Sequence, residues 1–240
     1  MAAGAAAGVV STVASLASVV SYPVLLALGL PPLPANVTNT VSLMFTGAGA
    51  ALGSRPELDG QGRRVLRLGL VTAAGGAAGA ALLLTTGARA FEAAAPVLIG
   101  VASLVLLLRP QRPVPAPEQA ERSPLLLAGL FAVAVYVGYF GAAGGILLLA
   151  ILTTMLTQSL ARTNAVKNVI NGFANAVAAI GFAVFGPVDW AAVGPLAAGF
   201  LIGGWAGPKM VRRLPGQALR YLVAAGGLGV AAWLGVQAYR

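Results

Sequence analysis

Polar residues interrupt an otherwise apolar chain at two matching places. Asn36-Val37-Thr38-Asn39-Thr40 and Asn164-Ala165-Val166-Lys167-Asn168 each follow a long apolar stretch and lead into another. Subtracting 36 from 164 sets them 128 positions apart. Charge-free or nearly charge-free runs cover 1–54, 68–88, 93–108, 123–161, 168–188, 190–208 and 221–239. A membrane-spanning helix takes about 20 such residues, so the first and fourth runs are too long for one span. The pattern predicts two halves, each a broken apolar segment followed by three helical spans. In the first half these are 2–30, then about 35–54, 65–87 and 91–108. In the second they are 124–160, then about 163–186, 190–210 and 217–238.

Proline and glycine refine this division. The stretch 109–123 carries four prolines and five charges, which marks an exposed linker between a first repeat at 1–108 and a second at 124–240. At the 128-residue offset Gly75, Gly76 and Gly79 meet Gly203, Gly204 and Gly207. A shared Gly-Gly-x-x-Gly triplet is stronger evidence of a repeat than identity in so Ala-rich a chain. Its expected role is close helix packing. Segment 124–160 is interrupted at Gly141-Ala142-Ala143-Gly144-Gly145, a helix break or the tip of a re-entrant hairpin. Segment 2–30 has small Ser15, Ala17, Ser18 and Ser21, with Pro23, in the equivalent region.

Composition sets the class. The chain is 58% hydrophobic and 9% charged, with a mean hydropathy of +0.88. No soluble domain of 240 residues buries that much apolar surface, so the expected fold is an all-α polytopic membrane protein. No basic leader region opens the sequence, and the membrane segment is read as starting at Met1. The net charge of +9 does not indicate nucleic-acid binding, because the arginines lie in short loops without aromatic platforms. Cys and His are absent, which removes disulfides, thiol relays, haem ligation and most transition-metal sites; no cofactor is expected. The Arg-, Ala- and Gly-rich composition suits a bacterial protein of the plasma (inner) membrane.

The basic residues also discriminate between topologies. If each broken segment is one span, the 15 Lys and Arg divide almost evenly between the two faces. If each is a hairpin returning to its own side, the halves are inverted. Then Arg55, Arg63, Arg64, Arg67, Arg109, Arg112, Arg122, Arg162, Lys167, Lys209, Arg212, Arg213 and Arg220 share one face, and only Arg89 and Arg240 oppose them. Such an asymmetry is what cytoplasmic loops carry. The expectation is therefore inverted repeats with both termini outside the cytoplasm.

Gly-Ala-Ala-Gly-Gly-Ile-Leu-Leu-Leu at 141–149, Arg162-Thr-Asn-Ala-Val-Lys-Asn168 and Asn171-Gly-Phe-Ala-Asn175 together resemble the sulfite exporter TauE/SafE family. Tyr22-Pro23 through Pro32 and Ala35-Asn-Val-Thr-Asn39 match in the first half. The likeness spans nearly the whole chain, with one departure. The first half usually carries its own Gly-Gly-Gly cluster, which is here Ala-Ser-Val-Val-Ser-Tyr-Pro. The resemblance implies a transporter of sulfite, organosulfonates or related small sulfur-containing anions.

An oxyanion inside a membrane needs hydrogen-bond donors. Helix N-termini supply backbone N–H groups, and glycines such as Gly141, Gly144 and Gly145 let the backbone come close. Asn and Thr add directional bonds, and Lys167 adds a full positive charge. The expected substrate contacts are Asn36, Thr38 and Asn39 from one half, and Asn164, Lys167, Asn168 and Asn171 from the other. Each has a plainer reading. Asn36 and Asn164 stand where helix N-caps belong. Lys167 lies near enough a helix start to reach the interface. Asn171 and Asn175 suit bonds between helices.

No carboxylate or imidazole is expected near the midplane, so a coupling ion, whether H+ or Na+, is left open. Intramembrane enzymes need Ser with His, a His-bound metal or paired buried Asp, and none of these is in place. A facilitator for another small solute and a non-transporting membrane subunit remain as alternatives; the latter predicts an apolar core without a polar pocket.

Overall fold

The computed structural model describes residues 1–14, 17–86, 123–141 and 144–211, with isolated positions at 89–97, 232 and 236. The spans expected at 91–108 and 217–238, and the linker, lie almost wholly outside the described residues. The described chain is helical without strands: α1 (Ala2–Ala14), α2 (Ala17–Ala27), α3 (Pro32–Gly53), α4 (Arg55–Leu58), α5 (Gly62–Thr85), α6 (Pro124–Tyr139), α7 (Gly144–Met155), α8 (Leu160–Phe185) and α9 (Trp190–Val211).

Local sequence explains the helix boundaries. Pro32 opens α3 at its first position, where a missing N–H costs nothing. Ser159 caps α8 by accepting the Arg162 amide at 3.4 Å. Asn36 and Asn164 therefore lie inside their helices and are not N-caps, as the sequence had suggested. Asp189 does cap α9, its carboxylate accepting the Ala192 amide at 3.0 Å.

Among the described residues, Gly62–Thr85, Leu160–Phe185 and Trp190–Lys209 are long and apolar enough to cross a membrane. The 26 residues of α8 extend about 39 Å, more than the roughly 30 Å of a hydrocarbon core. Helix α3 has comparable length, but Asn36–Thr40 lower its hydropathy below the other three. Helices α1, α2, α6 and α7 are shorter.

The shorter helices form two hairpins. Gly141, at φ +76°, ends α6 in the left-handed region that glycine adopts without strain. Helix α7 then runs back along α6, with Gly144 against Val137 and Ile151 facing Gly129. In the other half α1 runs parallel to α9, from Gly4 beside Gly199 to Thr12 beside Gly207. Helix α2 then returns antiparallel to α3, with Ser18 and Ser21 bonded to Asn39.

Glycines set how the long helices meet. Gly75 and Gly79 receive α6, while Gly76 receives Ala174 of α8. Gly203 and Gly207 receive α1, while Gly204 receives Thr46 and Ala50 of α3. The outer glycines of each triplet thus face a hairpin helix of the other half, and the middle one faces its first long helix. At the centre α3 and α8 cross antiparallel, with Val37 beside Gly186 and Gly47 against Gly172. Apolar clusters fill the rest. One joins Tyr22, Phe140, Phe182 and Phe200; the other joins Leu68, Leu130, Leu148, Leu152 and Ile170.

A Cβ at Gly47 would lie 2.6 Å from the Gly172 Cα, against backbone that cannot swing aside. Gly47→Leu is expected to cost about 1–3 kcal/mol or more through overpacking. Gly194→Ala, where nothing lies within 4 Å, is expected to be neutral or to stabilise by up to about 1 kcal/mol. Thermal unfolding of the purified variants measures both; equal melting temperatures would contradict the packing.

Candidate functional site

The first polar station is tied into the protein. Asn36 Nδ2 donates to the Tyr139 carbonyl at 3.1 Å, close to the end of α6. Asn39 Oδ1 accepts from Ser21 Oγ at 2.6 Å, and its Nδ2 donates to Ser18 Oγ at 3.1 Å. Thr38 Oγ1 accepts the Asp189 amide at 2.9 Å, where α9 begins. Thr40 and Ser42 bond back to the carbonyls of Asn36 and Thr38. The expected substrate contacts Asn36, Thr38 and Asn39 thus join α3 to α2, α6 and α9.

Part of the second station mirrors this. Asn164 Nδ2 donates to the Thr12 carbonyl at 3.0 Å, near the end of α1. Asn36 and Asn164, equivalent by the sequence offset, each hold the opposite half's hairpin by its first helix. Gly141, Gly144 and Gly145 belong to the α6–α7 turn, where Gly144 also donates its amide to the Gly141 carbonyl at 3.2 Å. Lys167 is 1% exposed and so is a buried residue of α8, not one that reaches the interface.

The remaining asparagines do something else. Asn164, Asn168, Asn171 and Asn175 recur at four, three and four residues, which draws a polar stripe along α8. Its lower part meets α3 and α1 in a polar cleft lined by Ser11, Leu43, Thr46, Gly47, Ala50, Asn168, Asn171, Gly172 and Asn175. The cleft is small, with free space for about one water molecule. Asn175 Nδ2 donates to the Asn171 carbonyl at 3.0 Å. Thr46 Oγ1, Asn168 Nδ2 and Asn171 Oδ1 are buried and, among the described residues, have no hydrogen-bond partner. Leaving such an atom unpaired costs about 1–3 kcal/mol, and three of them line one cleft.

Asn168 and Asn171, expected as site residues from the sequence, line the cleft; Thr46 and Ser11, which the sequence did not single out, line it too. Thr46 sits seven residues after Asn39 on the same face of α3, a signal readable once the helix is known to start at Pro32. Ser11 carried no signal, because only the return of the first hairpin brings α1 to the cleft. Both Asn171 and Gly172 stand at the middle of α8, so the cleft lies midway along the longest helix.

Charge gathers at one end of the bundle, where α3 and α9 finish and α5 and α8 begin. Arg55, Arg63, Arg64, Arg67, Arg162 and Lys209 all belong to this end. Arg162 donates to the Asp59 carbonyl at 2.7 Å, and Arg64 donates to Gln61 and Gln158 at 2.8 and 3.2 Å. These bonds staple the α3–α5 connection to the start of α8. The Lys209 ammonium lies 3.5 Å over the Trp205 ring. No group of three or more His, Cys, Asp or Glu among the described residues is placed to hold a metal.

A family model described as "Sulfite exporter TauE/SafE" matches residues 1–234. No curated protein and no solved structure matches the chain.

The two reciprocal asparagine bonds make a measurable prediction. Asn36→Ala and Asn164→Ala each remove the side-chain donor to a part-buried carbonyl and are expected to destabilise by about 1 kcal/mol. The two bonds share no partner, so the double variant is expected to lose about the sum. Thermal melts of the three variants check this. Wild-type stability in either single variant would show that its bond does not hold the hairpin.

Proposed function

Because the chain belongs to the sulfite exporter TauE/SafE family, we propose that it is a secondary carrier of small sulfur oxyanions or sulfonates, with its substrate site in the α3–α8 cleft. The family is one of membrane transporters, which implies a small anionic substrate and a lipid surround and agrees with a protein that is not an enzyme. One observation carries the choice of site. Two amides and a hydroxyl, each with an unpaired atom, face one cleft at the middle of an apolar helix bundle. Lipid offers such groups nothing, so a polar solute is their natural partner. The cleft also disfavours a purely structural subunit, whose core has no reason to keep donors unpaired.

The two halves are read as inverted repeats. Three features support this: the antiparallel crossing of the equivalent helices α3 and α8, the two return hairpins, and the exchange by which α1 packs on α9 and α6 on α5. In this reading 1–108 and 124–240 are the repeats, and α1–α2 and α6–α7 are re-entrant. The basic end faces the cytoplasm of a bacterial cell, following the distribution of Arg and Lys. Transport then follows from rocking or gating of one half against the other about a central site. Asn168 and Asn171 contact the anion, Thr46 adds a hydroxyl from the opposite half, and Lys167 contributes positive charge on the same turn of α8. The cleft is close to the size of one water, so admission of an oxyanion requires the crossing to open.

Uptake of labelled sulfite into proteoliposomes tests the reading. Saturable uptake is expected, with competition from other small sulfur anions. Asn168→Ala is expected to lower kcat/KM by about tenfold or more, the value of one hydrogen bond to a charged group. Folded protein with no saturable flux of any sulfur oxyanion would overturn the proposal.

A further inference from the structure

The two halves furnish their equivalent helices differently. Along α8 the stripe of Asn164, Asn168, Asn171 and Asn175 is polar at every position. The 128-residue offset sets these against Asn36, Thr40, Leu43 and Gly47 of α3. The α3 stripe thus turns apolar at Leu43, where α8 still carries an amide. Because the two helices cross antiparallel, each stripe starts at its own end of the bundle. That of α8 starts at the basic end, and that of α3 starts opposite it.

The bonding is unequal in the same sense. On α3 both polar atoms of the Asn39 amide are taken by Ser18 and Ser21, and Thr38 accepts the Asp189 amide. Thr40 donates to the Asn36 carbonyl. On α8 Asn164 Oδ1, Asn168 Nδ2 and Asn171 Oδ1 are buried and have no partner among the described residues. Asn164 lies one turn nearer the basic end than Asn168, so the three form a file from that end to the cleft. Water both donates and accepts, so it serves these groups whichever way each amide is turned.

Beyond the cleft the file stops. The same face of α8 continues as Ala178 and Phe182, which belong to an apolar cluster with Leu43, Tyr22, Phe140 and Phe200. The α8 members of that cluster, Ala178, Ala179 and Phe182, all follow Asn175. Those of the second cluster, Val166, Ile170 and Ala174, lie on another face of the helix. Among the described residues, apolar packing closes the cleft on one side and unpaired amides approach it on the other.

We propose, resting on the transport reading above, that the empty carrier rests with its cleft hydrated from the basic end, and that solute enters from there along α8, meeting Asn164 before Asn168 and Asn171. The ties of Asn39 to Ser18 and Ser21 hold the opposite side shut. Opening that side parts Leu43 from the aromatic cluster and breaks two buried hydrogen bonds, which together lower the population of the open form about tenfold or more.

Equivalent positions of the two halves test this, with one thiol at a time placed at Asn168 or at Thr40. Right-side-out and inside-out vesicles, on ice and without solute, receive the small membrane-impermeant reagent sulfonatoethyl methanethiosulfonate. Arg63→Cys, exposed at the basic end, and Leu28→Cys, exposed at the other, report which face each preparation presents. Asn168→Cys is expected to react from the Arg63 face about tenfold or more faster than Thr40→Cys reacts from the Leu28 face. Asn39→Ala in the Thr40→Cys chain removes both ties and is expected to raise its labelling from the Leu28 face about tenfold. If that chain does not fold, Ser21→Ala removes one tie and is expected to raise it about fivefold.

Equal rates at the two equivalent positions would overturn the inference. So would an Asn168→Cys that reacts only from the Leu28 face or from neither, or Thr40→Cys labelling that loss of the ties leaves unchanged. Saturable sulfite uptake by the unaltered protein would leave the transport reading standing in each of those cases. Absence of that uptake would overturn the transport reading, and the solute route with it.

Discussion

The architecture depends on one backbone contact, where Gly47 of α3 meets Gly172 of α8. Two long helices come this close only where neither carries a side chain, and in lipid such contact supplies packing that the hydrophobic effect does not. The antiparallel crossing brings a face of α3 that carries Thr46 onto the face of α8 that carries Asn168, Asn171 and Asn175. A side chain at either glycine would prise the helices apart and change the cleft with them. The outer packing follows the same rule, since each Gly-Gly-x-x-Gly triplet receives two helices on two faces.

Around this crossing the polar groups divide into two kinds. Most are satisfied inside the protein, as the absence of water in a membrane requires. The Asn36 and Asn164 amides hold the carbonyls of Tyr139 and Thr12, and Ser18 and Ser21 hold Asn39. Each bond runs from a long helix to a hairpin, so hairpins and crossing helices cannot move independently. Among the described residues a smaller set is left unpaired, and Thr46, Asn168 and Asn171 from it meet where α3, α8 and α1 converge. That separation between holding and waiting groups, more than the number of asparagines, is what singles out the cleft.

Much of this was legible in the sequence. The polar stations, the break at 141–145 and the paired glycine triplets follow from patterns that hydrocarbon imposes on any chain crossing it. The α8 stripe could be read from spacing alone. Other features depended on distant contacts. The sequence analysis started the span near 35 with Asn36 where its cap belongs, but Pro32 opens the helix and places Asn36 a turn inside it. The division of labour at the first station was invisible, because Asn39 is occupied only through Ser18 and Ser21 of a hairpin whose return the sequence left open. Ser11 reaches the cleft for the same reason. Lys167 looked near enough to a helix end to reach water, yet the neighbouring helices bury it.

The central claim is that the α3–α8 cleft is the place where an aqueous solute meets the protein. The chain has no cysteine, so a single introduced thiol reports without background. The most direct measurement is the alkylation rate of Thr46→Cys in native vesicles by a small water-soluble iodoacetamide, with and without methanesulfonate, beside Ala80→Cys. Ala80 is buried in the apolar part of the same bundle. The account predicts that Thr46→Cys reacts, that methanesulfonate slows it, and that Ala80→Cys stays inert. A Thr46→Cys as inert as Ala80→Cys, or labelled at a rate the sulfonate does not change, would contradict it.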